Sequence, residues 1–152
     1  MLRSDVGGKD RQMIRCLFRS PEFPLICDAG SILIGAMSLA DFADQAAVLD
    51  LPGDANLPVV DASSEGWVFN TQHSMVSPLT TKKRWTKKEV IALFNASNAA
   101  SKLGKQYSER SLSAKRFDRI ITDIVELIQS ANNTSELTSG GRADAPPGGS
   151  ST

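Results

Sequence analysis

The chain has 152 residues, 41% of them hydrophobic, and its 17 Lys and Arg are balanced by 17 Asp and Glu. This composition excludes wholesale disorder and suits one domain, or a small domain with appendages. With one His, no Cys-x-x-Cys pair, no signal peptide and no apolar segment that could span a bilayer, the sequence predicts an intracellular protein, nuclear or cytoplasmic, without metal, cofactor or membrane.

Residues 11–79 are predicted to form an acidic α+β part, after a flexible N-terminus of residues 1–10. Residues 13–18 fit either a strand or a short helix, because six residues do not distinguish the two periodicities. Runs rich in β-formers flank Asp28-Ala29-Gly30 and predict a first hairpin. A second pair of runs flanks Ser64-Glu65-Gly66 and predicts another hairpin.

One helix is predicted between these two hairpins. It begins at Ser38, whose hydroxyl can cap the first turn, and Asp41 follows three residues later as in a capping box. Pro52-Gly53 ends the helix. After the second hairpin, residues 73–81 are predicted to be a connection, since they include Pro78.

Residues 80–130 are predicted to form a basic helical part, and its first helix has a firm start signal. Thr86 and Glu89 match a capping box, in which each side chain accepts a hydrogen bond from the backbone N–H of the other residue. Trp85 and Val90 stand on either side at the positions of a hydrophobic staple. We therefore interpret Trp85 mainly as a packing residue, with contact to a base or a partner as the alternative.

Two further helices and a tail complete the predicted fold. A short Ala-rich helix ends at Gly104, a residue type suited to helix C-termini. The last helix is predicted to start near Ser111 or Ser113, and its apolar residues recur with a period of 3.6. These residues are Phe117, Ile120, Ile121, Ile124, Val125 and Ile128. The composition then turns to Asn, Thr, Ser, Gly and Pro, which predicts a disordered tail over residues 131–152.

Basic and acidic residues are segregated along the chain. Residues 21–81 contain eight Asp or Glu and no Lys or Arg, whereas residues 82–119 contain eleven Lys or Arg and three acidic residues. Several of these cations crowd the N-terminal end of the last helix, where the helix dipole disfavours positive charge. The pattern favours a surface that meets an anion. The alternative is that these cations pair with the acidic 21–81 segment of the same molecule.

Two stretches within residues 84–119 resemble the Myb/SANT group of helix-turn-helix domains. That group begins with a Trp-Thr-x-x-Glu stretch and carries an Arg-Ser/Thr-x-x-x-x-Arg-aromatic motif on its third helix. The matching residues are Trp85, Thr86 and Glu89, then Arg110, Ser111, Arg116 and Phe117. The resemblance implies that the third helix enters the major groove of DNA. Ala100 and Gly104 offer a second register, similar to the tight turn of bacterial helix-turn-helix units.

The expected function is nucleic-acid binding, most specifically regulatory DNA binding, through nine cations of the basic part. These are Lys82, Lys83, Arg84, Lys87, Lys88, Arg110, Lys115, Arg116 and Arg119. The alternative is a non-enzymatic protein–protein interaction module, or a subunit of a larger assembly, whose basic helices dock on an acidic protein surface. That alternative leaves room for an oligomer.

Catalysis is not expected from this sequence. His73 has Ser74 beside it but no evident third group, and no Gly-rich phosphate loop is present. Cys16 and Cys27 are expected to be buried free thiols, although a disulfide between them stays open.

Overall fold

Six strands form one mixed sheet, and helices pack on both of its faces. The computed structural model describes residues 13–30, 32–79, 84–108 and 114–140, with side chains up to residue 132. The strands are β1 (Arg15–Cys16), β2 (Leu25–Ala29), β3 (Ile32–Ala36), β4 (Asn56–Val60), β5 (Gly66–Asn70) and β6 (Met75–Pro78). The helices are α1 (Leu39–Val48), α2 (Lys87–Asn95), α3 (Asn98–Leu103) and α4 (Phe117–Gly140). This confirms the predicted α+β class.

The strand order across the sheet is β1-β6-β5-β4-β2-β3. Both predicted hairpins are confirmed, β2 with β3 and β4 with β5. β6 pairs antiparallel with β5, and β1 pairs parallel with β6. The prediction of an irregular connection over residues 73–81 is wrong, because Met75–Pro78 forms a strand despite its proline. Residues 13–18 supply a strand and not a helix.

Alternate residues of the strands build a separate core on each face of the sheet. One core includes Trp67 and Phe69 of β5 and is covered by α1 through Phe42. The other includes Ile26 and Leu33 and is covered by α2, α3 and α4. The acidic and basic parts of the sequence therefore share this second core, because the C-terminal helices pack on the N-terminal sheet.

The close packing of α4 on the sheet depends on Gly35. A Cβ at this position would lie 3.2 Å from Cα of Val125 and 3.2 Å from Cδ1 of Ile128, so any other residue would require the helix to shift slightly away from the sheet. The side chain of Ala131 is also buried. The backbone of α4 continues to Gly140, so the predicted start of disorder at residue 131 falls inside a helix. Residues 141–152 of the predicted tail lie outside the described residues.

Local capping signals are confirmed at three helix ends. Ser38 accepts a hydrogen bond from the N–H of Asp41, although the Asp41 carboxylate accepts from Met37 and not from Ser38. The full capping box of Thr86 and Glu89 is present. Gly104 ends α3 in the left-handed conformation, with φ of 64°. The last helix is the exception, since α4 begins at Phe117 and not near Ser111 or Ser113.

Candidate interaction surface

The predicted cations around the start of α4 are paired with acids of the same segment. Lys115 Nζ lies 2.8 Å from Oδ2 of Asp123, and Arg119 Nε lies 3.1 Å from Oδ1 of that carboxylate. Arg116 Nε lies 3.3 Å from Oδ1 of Asp118. Asp118 and Asp123 thus neutralise much of the charge that the sequence gathers here. The acids that pair with these cations do not come from the 21–81 segment.

A tyrosine joins this network and fixes the chain that precedes α4. The Tyr107 hydroxyl donates to Asp123 at 2.7 Å, and its backbone is held by the Asn95 side chain at the end of α2. Burial favours a higher pKa for the Asp123 carboxyl, but hydrogen bonds from Lys115 and Tyr107 outweigh it and hold the pKa below its usual value. The hydrogen bond to Asp123 raises the pKa of Lys115.

The other described cations of the predicted set lie at the opposite end of α2. Lys87 and Lys88 begin that helix, whereas Asn95, which contacts the Tyr107 backbone, ends it. Eight residues of α-helix separate the two ends by roughly 12 Å. The nine predicted residues therefore do not form one described cluster. Lys82, Lys83 and Arg110 lie outside the described residues.

Arg84 is attached to the turn between β4 and β5. It forms an antiparallel bridge with Glu65, and its Nη1 donates to the carbonyl of Ser63 at 2.6 Å. The N–H of Trp85 donates to the carbonyl of Ser64 at 2.7 Å. These bonds fix the start of α2 against the turn, so the position of its cations is set by the sheet.

A buried aspartate makes that turn rigid. The Asp61 carboxylate is nearly inaccessible and accepts hydrogen bonds from three backbone N–H groups, one hydroxyl and one indole N–H. The donors are Glu22 N, Ser63 N, Ser63 Oγ, Glu65 N and Trp67 Nε1. A buried carboxylate with this many donors is well satisfied. It ties the 61–65 turn to the loop that follows β1.

The loop after β1 is clamped to the same turn by an arginine that the sequence analysis did not select. Both terminal nitrogens of Arg19 donate to the Glu65 carboxylate in a bidentate pair. The Arg19 guanidinium also lies 5.0 Å from the ring centroid of buried Trp67. Bidentate pairing and stacking together fix a side chain more tightly than a single surface ion pair.

Phe18, directly before this clamped arginine, is held in an unusual exposed conformation. Its φ is 72°, and the N–H of Arg19 donates to the carbonyl of Leu17 at 2.7 Å, which closes a γ-turn. Turns of this kind are rare and strained for residues other than glycine. The Phe18 side chain is 90% exposed. A large aromatic side chain is therefore presented to solvent on a rigid base, and no local sequence signal indicated it.

Among the described residues, the strand beside Phe18 has an outer edge with which no strand pairs. The N–H groups of Arg15 and Leu17 donate to the carbonyls of Ser74 and Val76. Because successive residues of a strand alternate in direction, the backbone groups of Cys16 point away from the sheet. In the described part of the chain, no strand pairs with this side of β1. We call the backbone edge at Cys16, together with Arg15 and Phe18, the β1 edge.

The described residues include one apolar cleft and two free cysteines. A cleft of about 230 Å³ between α1 and the sheet is lined by apolar residues and by the hydroxyls of Thr71 and Ser74, with no charged side chain. No described group of His, Cys, Asp and Glu could hold a metal ion. Cys27 is buried and free, and burial raises its pKa, whereas Cys16 is half-buried and free. None of the described helices is long and apolar enough to cross a membrane.

Comparison with protein-family models, with curated proteins and with solved structures gives no match for this chain. The resemblance to the Myb/SANT group therefore stays a prediction made from a few residues. Of the motif that would lie on a third helix, Arg110 and Ser111 are outside the described residues. Phe117 packs against the core that α4 covers. What the protein does has to be inferred from its geometry.

Proposed function

We propose that the protein is a non-enzymatic interaction module whose protein partner docks on the β1 edge. The observation that carries this proposal is the exposed Phe18 at positive φ. Backbone strain of this kind costs on the order of 1–3 kcal/mol and persists only where surrounding contacts enforce it. Here Arg19, Glu65 and Trp67 provide those contacts.

The composition of this surface also supports a protein partner. Aromatic and arginine side chains are the residues that most often dominate the affinity of protein interfaces. Around Phe18 the described charges are of both signs, with Arg19 bonded to Glu65 and with Glu22 four residues further along the chain. A mixed rim around an aromatic anchor fits a protein surface better than a polyanion. Lys115, Arg116 and Arg119 pair with Asp118 and Asp123, and this pairing weakens the case for nucleic-acid binding at the start of α4.

The test is stoichiometric capture of a partner from nuclease-treated extract by wild type and by Phe18→Ser. Loss of an aromatic anchor weakens binding by roughly 30-fold or more, so the variant should lose the complex. Val48→Ser is the matched control, because Val48 is 80% exposed but lies at the end of α1. Equal capture by all three proteins would refute a role for the β1 edge.

Nucleic-acid binding at the start of α2 is a second candidate, favoured by one observation. The hydrogen bonds of Arg84 go to a carbonyl and a hydroxyl, which do not neutralise its charge. Lys87 and Lys88 follow within one turn, at the end of the helix where the dipole adds further positive potential. This candidate keeps the predicted function but moves its residues away from α4.

Salt titration of binding to duplex and single-stranded DNA and RNA tests this second candidate. Each lost phosphate contact lowers the log–log salt slope by about one unit. Replacing Arg84, Lys87 and Lys88 with Ala should lower the slope, whereas replacing the paired Lys115, Arg116 and Arg119 should leave it nearly unchanged. A wild type that binds no nucleic acid at low salt would eliminate this candidate.

A further inference from the structure

We infer that the partner adds an extended strand to the β1 edge, and that this strand alternates acidic and apolar residues. The inference rests on the proposed function and specifies its partner. Extended peptides bind sheet edges through main-chain hydrogen bonds, while alternate side chains provide specificity. The outward backbone N–H and carbonyl of Cys16 are the groups that would form these bonds.

The acidic character of the partner follows from the charges along this edge. Residues 13–21 contain Arg15 and Arg19 but no Asp or Glu. Arg19 is already bonded to Glu65, whereas the hydrogen bond of exposed Arg15 goes to the sulfur of Met75 at 3.6 Å. In the part of the chain that the structure describes, no carboxylate lies within ion-pair distance of Arg15. A carboxylate on the neighbouring strand would therefore gain a favourable cross-strand pair.

The apolar character follows from the alternation of side chains across the sheet. Cys16 points to the opposite face from Arg15 and packs at the margin of the core that contains Trp67 and Phe69. Cys16 is only half-buried, so an added strand would extend this core with the residues that flank its acids. Phe18, beyond the end of β1, would contact the same partner.

A second copy of the chain fits this edge less well. In an antiparallel pairing of two β1 strands about a twofold axis, the two Arg15 side chains would lie on the same face. Because β1 has only two residues, they would be within about 8 Å of each other. Like charges at this distance destabilise the pairing, whereas an acidic partner is attracted. The observations therefore favour a partner of opposite charge.

The test uses fluorescently labelled eight-residue peptides, one alternating Glu and Val and one alternating Lys and Val, with anisotropy as the readout. Wild type should bind the acidic peptide in preference to the basic one. Arg15→Glu should weaken acidic binding by roughly 3- to 30-fold and invert the preference. Inversion is a result that a merely damaged fold would not give.

Cys16→Pro provides a second, independent variant. Its proline removes an N–H that points away from the sheet, so an edge strand tolerates it and the fold should be retained. Circular dichroism and a thermal melt check this retention, and peptide binding should be lost. Serine at the same position is the control, because it keeps the N–H and should bind like wild type.

Each of the following results would overturn the inference. The first is no measurable binding of the acidic peptide by wild type, the second is equal binding of both peptides, and the third is undiminished binding by folded Cys16→Pro. Sedimentation of the unliganded protein as a dimer that Arg15→Glu alters would assign the edge to a second copy. If partner capture still depends on Phe18 while the peptides fail, the proposed function stands and strand addition does not.

Discussion

The two edge strands of the sheet, β3 and β1, differ in whether side chains cap their outward backbone groups. At β3 the outward carbonyl of Gly35 accepts hydrogen bonds from the side chains of Gln45, at 2.6 Å, and Gln129, at 3.0 Å. Both amides also donate to the Asp41 carboxylate. At β1 the outward backbone of Cys16 meets no such cap among the described residues, and the strained Phe18 stands beside it.

Among the described residues, the sheet is therefore closed at β3 and open at β1. Exposed sheet edges invite unwanted pairing, and proteins commonly cover or blunt them. Helices α1 and α4 lie on opposite faces of the sheet, yet each sends a glutamine to the same carbonyl of β3. In the described part of the chain, the β1 edge is blunted only by its short length and by Arg15. Because the described residues cap the edge at β3 and leave the edge at β1 uncapped, the β1 edge is the better candidate for contact with a partner.

Of the changes at the two sheet edges, Gly35→Ala is expected to have the largest effect, because it pushes α4 away from β3. The new methyl group would meet the backbone of Val125 and the side chain of Ile128 at 3.2–3.3 Å, so α4 must shift. We expect the free energy of unfolding to fall by about 2–3 kcal/mol, as measured by urea denaturation. Gly53→Ala is the control, since nothing lies within 4 Å of the added Cβ. Similar losses in both variants would show that close packing at Gly35 is not the cause.

Replacing Asp41, whose carboxylate accepts hydrogen bonds from both glutamines, tests the β3 edge with a smaller expected loss of stability. Asp41→Ala deletes hydrogen bonds to Gln45 and Gln129 and to the N–H of Met37, which lies 2.9 Å from Oδ2. The expected loss is about 1–2 kcal/mol, since part of it is recovered by solvent. Hydrogen exchange should show the loss of protection in β3 and not in β1. Asp50→Ala, an exposed control beyond α1, should leave stability unchanged.

Local sequence signals predicted much of the closed region but little of the open one. The β2–β3 hairpin and the Ser38 cap depend on neighbouring residues, and both were found from sequence. β6 was missed because Met75–Pro78 is a strand mainly through its pairing with β5. Positive φ at Phe18 contradicts the preference of its residue type, so tertiary contacts alone impose it.

The predicted binding residues show the same division between local and distant contacts. Arg119 and Asp123 are four residues apart on a helix, and their pairing could have been inferred from that spacing. The contact of Lys115 with Asp123 requires the chain before α4 to fold back through Tyr107, which sequence spacing does not reveal. Neutralisation of Lys115 therefore became visible only in the structure, whereas that of Arg119 was accessible from the sequence.

Acid should weaken the attachment of the segment before α4, because that attachment depends on the Asp123 network. Folding lowers the pKa of Asp123. The carboxylate therefore contributes to the free energy of unfolding above the unfolded pKa of about 3.9, and this contribution is lost as pH falls further. We expect Asp123→Asn to be less stable than wild type at pH 7, by less than about 1 kcal/mol, because the Lys115 and Arg119 side chains that pair with Asp123 are exposed to solvent. The difference in the free energy of unfolding between wild type and Asp123→Asn should narrow below about pH 4. If urea denaturation shows the same stability difference at pH 7 and at pH 3, this account is wrong. Asp118→Asn serves as the exposed control.

The smallest effect on stability is expected at the open edge itself, from Phe18→Gly. Glycine relieves the strain of positive φ, worth about 1–2 kcal/mol, but adds roughly 0.5–1 kcal/mol of backbone entropy to the unfolded chain. Because the Phe18 side chain is exposed, its removal loses little packing. The thermal stability of Phe18→Gly should therefore match or slightly exceed that of wild type. Phe42→Ala, at a fully buried phenylalanine, should instead lose about 3–5 kcal/mol. If Phe18→Gly were destabilising by more than about 1 kcal/mol, Phe18 would be a packing residue of the fold, and the contrast between the two edges would lose its functional meaning.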